Sequence, residues 1–358
     1  MKSKLLMIIV SIFSAIAINI DLSPNLTFTD SIKGNNELLL LIFSFLYYLF
    51  YKNVVNVKEK RTIIISIVIS IIISILQIIG YNTSNYLTLS VMFSSKGILT
   101  KNIIKLLGYI ITLYGIFSIV FSKLSSIKIK DEIEKGKLFS NSKKSFLFYF
   151  TIIIICYIPY FLYYYPGIFT TDSISEMFSA TFSMNQLVNH HPVLHIFIIH
   201  ICLKIGSLFG NNTIGIAIYS ITQMIFTALV FSYVVNYMNK KNLNVYLRIC
   251  TLLFFALYTP FAIYSISMWK DVPFALFMLL YVIQLAEIAT NKEYFTKVKN
   301  IIKFLIITIM VILFRNNGIY VVLITLPFGI LLLKECRKKI CMCIIFIIAF
   351  YLIYKGPV

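Results

Sequence analysis

Residues 192–209 read PVLHIFIIHICLKIGSLF, and the way this piece lies decides the topology of the whole chain. It is one of twelve apolar stretches, near 5–20, 37–51, 62–80, 103–122, 146–165, 192–209, 212–238, 247–266, 272–290, 301–314, 318–333 and 340–354. Several exceed the ~18 apolar residues that suggest a bilayer-spanning helix. The loops at 52–61 and 123–145 are strongly basic, so the positive-inside rule makes them cytoplasmic, with the amino terminus inside and 166–191 outside. If 192–209 also crossed, Lys240, Lys241, Arg248, Lys292, Lys297, Lys299, Lys303, Lys334, Arg337, Lys338 and Lys339 would all lie outside. If it does not cross, all of them return to the cytoplasmic side, and the charge rule is obeyed. The stretch is therefore expected to lie in the outer interface or dip into it, with His195, His200 and Lys204 towards water or protein.

The expected fold is all-α: a polytopic integral membrane protein with about eleven transmembrane helices and two interfacial helices in the outer loop 166–211. Composition agrees. The chain is 59% hydrophobic and only 13% charged, against roughly 25% charged in soluble domains. A net charge of +19 raises nucleic acid as a partner, but the basic residues sit in short loops between apolar runs, the pattern of membrane orientation. The partner is the lipid bilayer, and no nucleic acid is expected. The six cysteines lie in or beside apolar segments and read as small buried hydrophobes with no disulfide framework. The opening MKSKLLMIIVSIFSAIAINI resembles a signal peptide, but a retained first helix is the expectation.

Outward from the deciding stretch, residues 163–192 read YYYPGIFTTDSISEMFSATFSMNQLVNHHP. Tyr157, Tyr160 and Tyr163 to Tyr165 form an interfacial aromatic belt, and Pro166-Gly167 break the helix. Ser173-Ile174-Ser175-Glu176 is a capping-box pattern, followed by Ile174, Met177, Phe178, Phe182 and Val188 along one face. An amphipathic interfacial helix over about 173–188 follows. Glu176 is then either a cap or a substrate contact, and Asp172 is aimed by the Pro-Gly turn at a cavity. His190, His191 and Pro192 open the next helix. His191 and His195 have a spacing compatible with zinc, but hydrogen bonding to a phosphate or hydroxyl is the better reading.

Two further outer positions carry charge. Trp269-Lys270-Asp271 precedes a helix, with Asp271 a candidate N-cap or ligand. Arg315, in Phe314-Arg315-Asn316-Asn317-Gly318, is a cation placed against the orientation rule, which points to an anion as its partner. Asp172, Glu176, His190, His191, Lys270, Asp271 and Arg315 therefore converge on one face.

This layout resembles GT-C type membrane glycosyltransferases, in an uncharacterised bacterial branch. The resembling elements are an acid in the first outer loop, the His-Pro element at 191–192, a second outer acid and RNNG at 315–318. They cover about 146–334, so residues 1–145 read as extra helices ahead of a core at 146–358. The resemblance implies a polyprenyl-phosphate-linked sugar donor, a glycan, lipid or protein acceptor, and a cell-envelope reaction at the extracytoplasmic face. It maps the acid that deprotonates the acceptor, or organises a divalent metal ion, onto Asp172. His190, His191 and Asp271 line the same cavity, with Asp271 a second possible metal contact. Two departures stand out: the element reads HHPV where a double Pro is more frequent, and Ser173 replaces a second acid. The chain stops at Lys355-Gly356-Pro357-Val358, which reads as a truncated member. The alternative function is a membrane transporter or lipid-linked glycan flippase, whose polar groups would sit at mid-depth on broken helices.

Overall fold

The computed structural model describes residues 2–33, 37–126, 142–182, 192–291, 293–332 and 337–355. All twelve apolar stretches form helices, and the chain divides into two units, Met1–Lys130 and Asp131–Val358. Among the described residues, six helices are long and apolar enough to cross a membrane, and a pair bent by 55° makes a seventh.

In the first unit α1 (Lys2–Asn19), α2 (Phe28–Lys33), α3 (Glu37–Val54), α4 (Lys60–Tyr86) and α5 (Lys96–Ser126) pack as apolar rods. Helix α4 shows how. Thr62, Ser66, Ser70, Ser74, Ile78 and Asn82 recur every four residues and are buried, while the isoleucines between them are largely exposed. Four-residue spacing keeps one face of a helix, and small residues there let backbones approach where no hydrophobic force distinguishes neighbour from lipid. Asn82 Nδ2 donates to Asn102 Oδ1 of α5 at 3.0 Å. The loop after α1 is held by buried ammonium groups: Lys101 Nζ donates to the Ser23 and Leu26 carbonyls at 2.7 and 3.1 Å, and Lys105 Nζ to Ile20 O at 2.7 Å. The Asp21 carboxyl in that loop is held below its usual range, chiefly by hydrogen bonds from the Ser23 hydroxyl and N–H.

The second unit contains α6 (Lys143–Tyr163), β1 (Ile168–Phe169), α7 (Thr171–Phe182), α8 (Val193–Leu208), α9 (Asn212–Lys240), α10 (Val245–Leu257), α11 (Thr259–Ser265), β2 (Ser267–Met268), α12 (Asp271–Thr290), α13 (Val298–Phe314), α14 (Gly318–Leu332) and α15 (Arg337–Lys355). Its axis is α9. At one end, Asn239 Nδ2 donates to Tyr149 OH at 2.7 Å and Asn239 Oδ1 accepts from Arg248 Nη1 at 3.0 Å, while Lys240 and Lys241 meet Glu287 at 3.3 and 3.1 Å. At the other end, Ser220 Oγ donates to Ile266 O at 3.3 Å. The intervening turns of α9 rise about 28 Å at 1.5 Å per residue, close to the thickness of a hydrocarbon core.

Helix α8 stays at the Ser220 end. It lies against the opening turns of α9: His195 meets Tyr219, and Gly206 and Gly215 bring the two backbones together. A Cβ on Gly215 would sit 2.7 Å from Cys202 O and 2.8 Å from Leu203 Cα. None of these contacts reaches towards Asn239, so α8 does not run the length of α9.

Helix α7 is described over Thr171–Phe182 and starts ahead of the expected 173; residues 183–188 of the expected helix lie outside the described residues. It is capped one turn earlier than the Ser173–Glu176 pattern suggests. Thr170 N donates to Ser173 Oγ at 2.6 Å and Ser173 N to Thr170 Oγ1 at 3.2 Å, a reciprocal box that leaves Glu176 out. Both hydroxyls were available three residues apart, and the Thr170 box ends where the β1 segment ends. The amphipathic faces are also inverted: Ser173, Glu176 and Ala180 are buried, whereas Ile174 and Phe178 are 45% and 57% exposed.

Replacing Gly215 by Val should separate α8 from α9 and lower stability by about 1–3 kcal/mol, the usual cost of overpacking. Gly80→Ala, where a Cβ meets nothing within 4 Å, should leave it unchanged or slightly raised. Thermal unfolding of both variants in the same detergent checks the contrast.

Candidate functional site

The site is assembled by a parallel pairing two residues long. Ile168 pairs with Ser267 and Phe169 with Met268, and Ile168 N donates to Ile266 O at 3.2 Å. Gly167 makes this approach possible. Its φ of +149° lies outside the range of ordinary side-chain-bearing residues, and a Cβ there would fall 2.1 Å from Ser220 Oγ and 3.1 Å from Ile266 O. The register then does the rest. Asp172 follows Phe169 by three residues and Lys270 follows Met268 by two, so two side chains far apart in sequence meet: Lys270 Nζ donates to Asp172 Oδ2 at 2.9 Å. Glu176, one turn along the same face of α7, lies 3.4 Å from the same Nζ through Oε1.

Behind Lys270 a hydrogen-bonded chain runs into the core. Glu176 Oε2 lies 2.7 Å from His195 Nδ1, and both side chains are fully buried. His195 Nε2 lies 2.6 Å from Tyr219 OH, which donates to Gln223 Oε1 at 2.8 Å. Gln223 Nε2 closes the chain on the carbonyls of Tyr264, Ser265 and Ser267, at 3.1, 3.2 and 2.6 Å. One amide side chain thus ties α9 to the strand that carries Lys270. Exposure falls along the chain: 45% for the Asp172 side chain, 15% for Lys270, and none for Glu176.

A second acid–cation pair adjoins the first. Asp271, the first residue of α12, forms an ion pair with Arg315, its Oδ1 3.1 Å from Nη1, and the guanidinium carbon stands 5.5 Å from the centre of the Phe274 ring. Asp271 also lies at the polar edge of a cavity of about 410 Å³ between α9, α10, α11 and α12, otherwise lined by Phe231, Phe255, Phe261, Trp269, Leu276 and neighbours. Another, of about 260 Å³, lies between α8, α9, α12 and α13, with His195 and Tyr219 in its wall.

Of the residues expected from the sequence, Asp172, Glu176 and Lys270 come together, and Asp271 pairs with Arg315. His190 and His191 lie outside the described residues. His195 was expected to face water or protein and, with His191, to offer a zinc spacing. It is buried, and both ring nitrogens are taken by Glu176 and Tyr219, which leaves no lone pair for a metal. His200 donates through Nδ1 to Ala180 O at 2.8 Å and joins α8 to α7, while Lys204 is exposed. Nor is Asp271 an N-cap: it is already inside the helix, behind Lys270. A divalent ion at Asp172 and Asp271 would have to displace Lys270 and Arg315, and among the described residues no three acids, histidines or cysteines converge.

Tyr219 and Gln223 were not anticipated. A signal existed: a Tyr and a Gln one helical turn apart, inside a long apolar run, place polar groups at membrane depth, where they seldom occur without a partner.

Residues 182–358 match the model of a family of unknown function, DUF6020. No curated protein matches the chain. No solved structure matches it.

Gln223→Leu should take away the acceptor of the Tyr219 hydroxyl proton and the amide donor to the Ser265 and Ser267 carbonyls, and lower stability by about 1–3 kcal/mol for each buried group left unpaired. Thr222→Val, on the exposed neighbouring position, should stay within about 0.5 kcal/mol of the parent. Denaturation of the two purified variants compares them directly.

Proposed function

We propose that this protein is a membrane glycosyltransferase that moves a sugar from a polyprenyl-phosphate carrier to an acceptor at the extracytoplasmic face. The observation that carries the reading is the gathering of Asp172–Lys270 and Asp271–Arg315 at one end of a helical bundle, beside an apolar cavity about 410 Å³ in volume. A lipid-phosphate sugar needs those features together: an apolar groove for the tail, cations for the phosphate, and a base for the acceptor. The resemblance of the outer-loop motifs to GT-C type enzymes points the same way.

The orientation belongs to the same proposal. The amino terminus and the basic loops lie in the cytoplasm of the cell, and eleven segments cross, with α7 and α8 at the outer leaflet. The placement of α8 along the opening turns of α9 supports this. So does α7, whose outward-facing Ile174 and Phe178 suit a lipid interface better than water.

In the reaction, Asp172 takes the proton of the acceptor hydroxyl as its oxygen bonds to the anomeric carbon. The bond from that carbon to the phosphate oxygen breaks, and the electron pair leaves with the lipid phosphate. General-base catalysis of this kind contributes about 10²–10⁴-fold. The developing phosphate charge is met by Lys270 and Arg315, the two cations of the site. Asp172 is the accessible end of the polar chain, as a base that must touch an incoming hydroxyl has to be.

The alternative reading is a lipid-linked glycan flippase. Its support is the 55° break between α10 and α11, a device common in transporters. Against it stand the ion pairs among the described residues, with Asp172, Glu176 and Lys270 gathered beside the Ser220 end of α9 and Lys240, Lys241 and Glu287 at the Asn239 end.

With purified protein and a panel of polyprenyl-phosphate sugars, Asp172→Asn should lower kcat by about 10²–10⁴-fold at unchanged expression. Arg315→Ala should raise the donor KM. Full transfer by Asp172→Asn would remove the general base. Single cysteines at Lys270 and Lys240 should label from opposite sides of sealed vesicles; labelling from the same side would sink the proposed orientation.

A further inference from the structure

The orientation of the Gln223 amide sets the direction of the protons along the buried chain. Nε2 faces three carbonyls, so Oε1 faces Tyr219 and accepts its hydroxyl proton. The Tyr219 oxygen is then an acceptor towards His195, and His195 Nε2 carries a hydrogen. A bare imidazole lone pair and a carboxylate oxygen at 2.7 Å would repel, so one proton lies between Nδ1 and Glu176 Oε2. Whether written as imidazolium and carboxylate or as imidazole and carboxylic acid, the pair has no net charge.

This matters for Lys270, whose ammonium lies 2.9 Å from Asp172 and 3.4 Å from Glu176. Asp172 is half-exposed and screened by water; Glu176 is fully buried. Attraction between charges strengthens as the surroundings become less polar, so a fully charged, uncompensated Glu176 would win the ammonium. We propose that His195 is a positioning residue: by cancelling the charge of Glu176 it keeps Lys270 at Asp172, the accessible end of the site. The location of Lys270 follows from the geometry alone. Its consequence for sugar transfer rests on the reading of Asp172 and Lys270 given above.

A buried Glu–His pair is a poor investment for stability alone, since apolar residues of like volume serve as well or better. Its position directly behind the only lysine of the 264–271 segment is what a charge-holding role requires.

The test uses the full chain in lipid nanodiscs and the labelling of Lys270 by an amine-reactive ester, quantified by mass spectrometry against exposed Lys204. His195→Asn keeps a donor near Nδ1 but not the proton. It should withdraw Lys270 into the core, cutting its relative labelling about tenfold, with a comparable fall in kcat. Glu176→Gln removes the charge that must be cancelled and should label within about threefold of the parent. The double variant His195→Asn/Glu176→Gln should recover the labelling, which a merely structural role for His195 would not allow. Unchanged labelling in His195→Asn, or a double variant no better than that single one, would overturn the inference. If His195→Asn does not fold, the double variant should fold like the parent, and its failure would overturn it equally. Labelling that follows the expected pattern in a protein that transfers no sugar would uphold His195 as a positioning residue and reject the transferase reading.

Discussion

The parallel pairing of Ile168–Phe169 with Ser267–Met268 is small, yet the site has no geometry without it. Two main-chain segments almost a hundred positions apart are locked in register, and Asp172 and Lys270 inherit their contact from that register. The pairing depends on two neighbours. Gly167 lets the backbone pass Ser220 with no side chain in the way, and Gln223 grips the carbonyls on the far strand. All three lie where α9 meets the loop end of the bundle. A strand pair this short is not stable alone; here the surrounding helices and the amide of Gln223 supply what the ladder lacks.

Around that junction the unit arranges polarity from outside in, the reverse of a soluble protein's habit. Helix α7 turns Ser173 and Glu176 inwards and leaves Ile174 and Phe178 outside. In an apolar environment this is the economical solution, because a polar side chain is better satisfied by protein than by lipid. The first unit shows the same preference in the serine stripe of α4 and in the buried Lys101 and Lys105. Lys101, Lys105 and the Glu176–His195–Tyr219–Gln223 chain are met by main-chain carbonyls or by other side chains. In the second unit the polar groups additionally form a gradient from a half-exposed carboxylate to a sealed histidine, and a gradient of that kind is a means of directing charge.

Much of this could be read from residue order. The twelve apolar runs are all helical, the one at 247–266 broken into α10 and α11, since bilayer-length runs of Ile, Leu and Phe have few other ways to satisfy their backbone. Asp172, Lys270, Asp271 and Arg315 stood out because charge is scarce in such a chain. Glu176 was harder. Its spacing from Ser173 suits a cap as well as a core contact, and both Thr170 and Ser173 compete for the same helix start. Once Thr170 takes the cap, Glu176 is free to enter the core. His195 was expected to face water or protein and it faces protein; because α8 is apolar on nearly every side, the identity of its partners stayed open.

Local order of the chain, then, carries the helical character of the apolar runs, the turn at Pro166-Gly167 and the identity of the scarce ionisable groups, because each of these depends on neighbours a few positions away. It does not carry which groups touch. That Lys270 lies between Asp172 and Glu176, that Arg315 meets Asp271, and that Tyr219 and Gln223 complete a buried chain all follow from the strand register and from the face that α9 presents. Those are settled by contacts between segments distant in sequence, which hydrophobic periodicity cannot encode because it is blind to the partner across the gap.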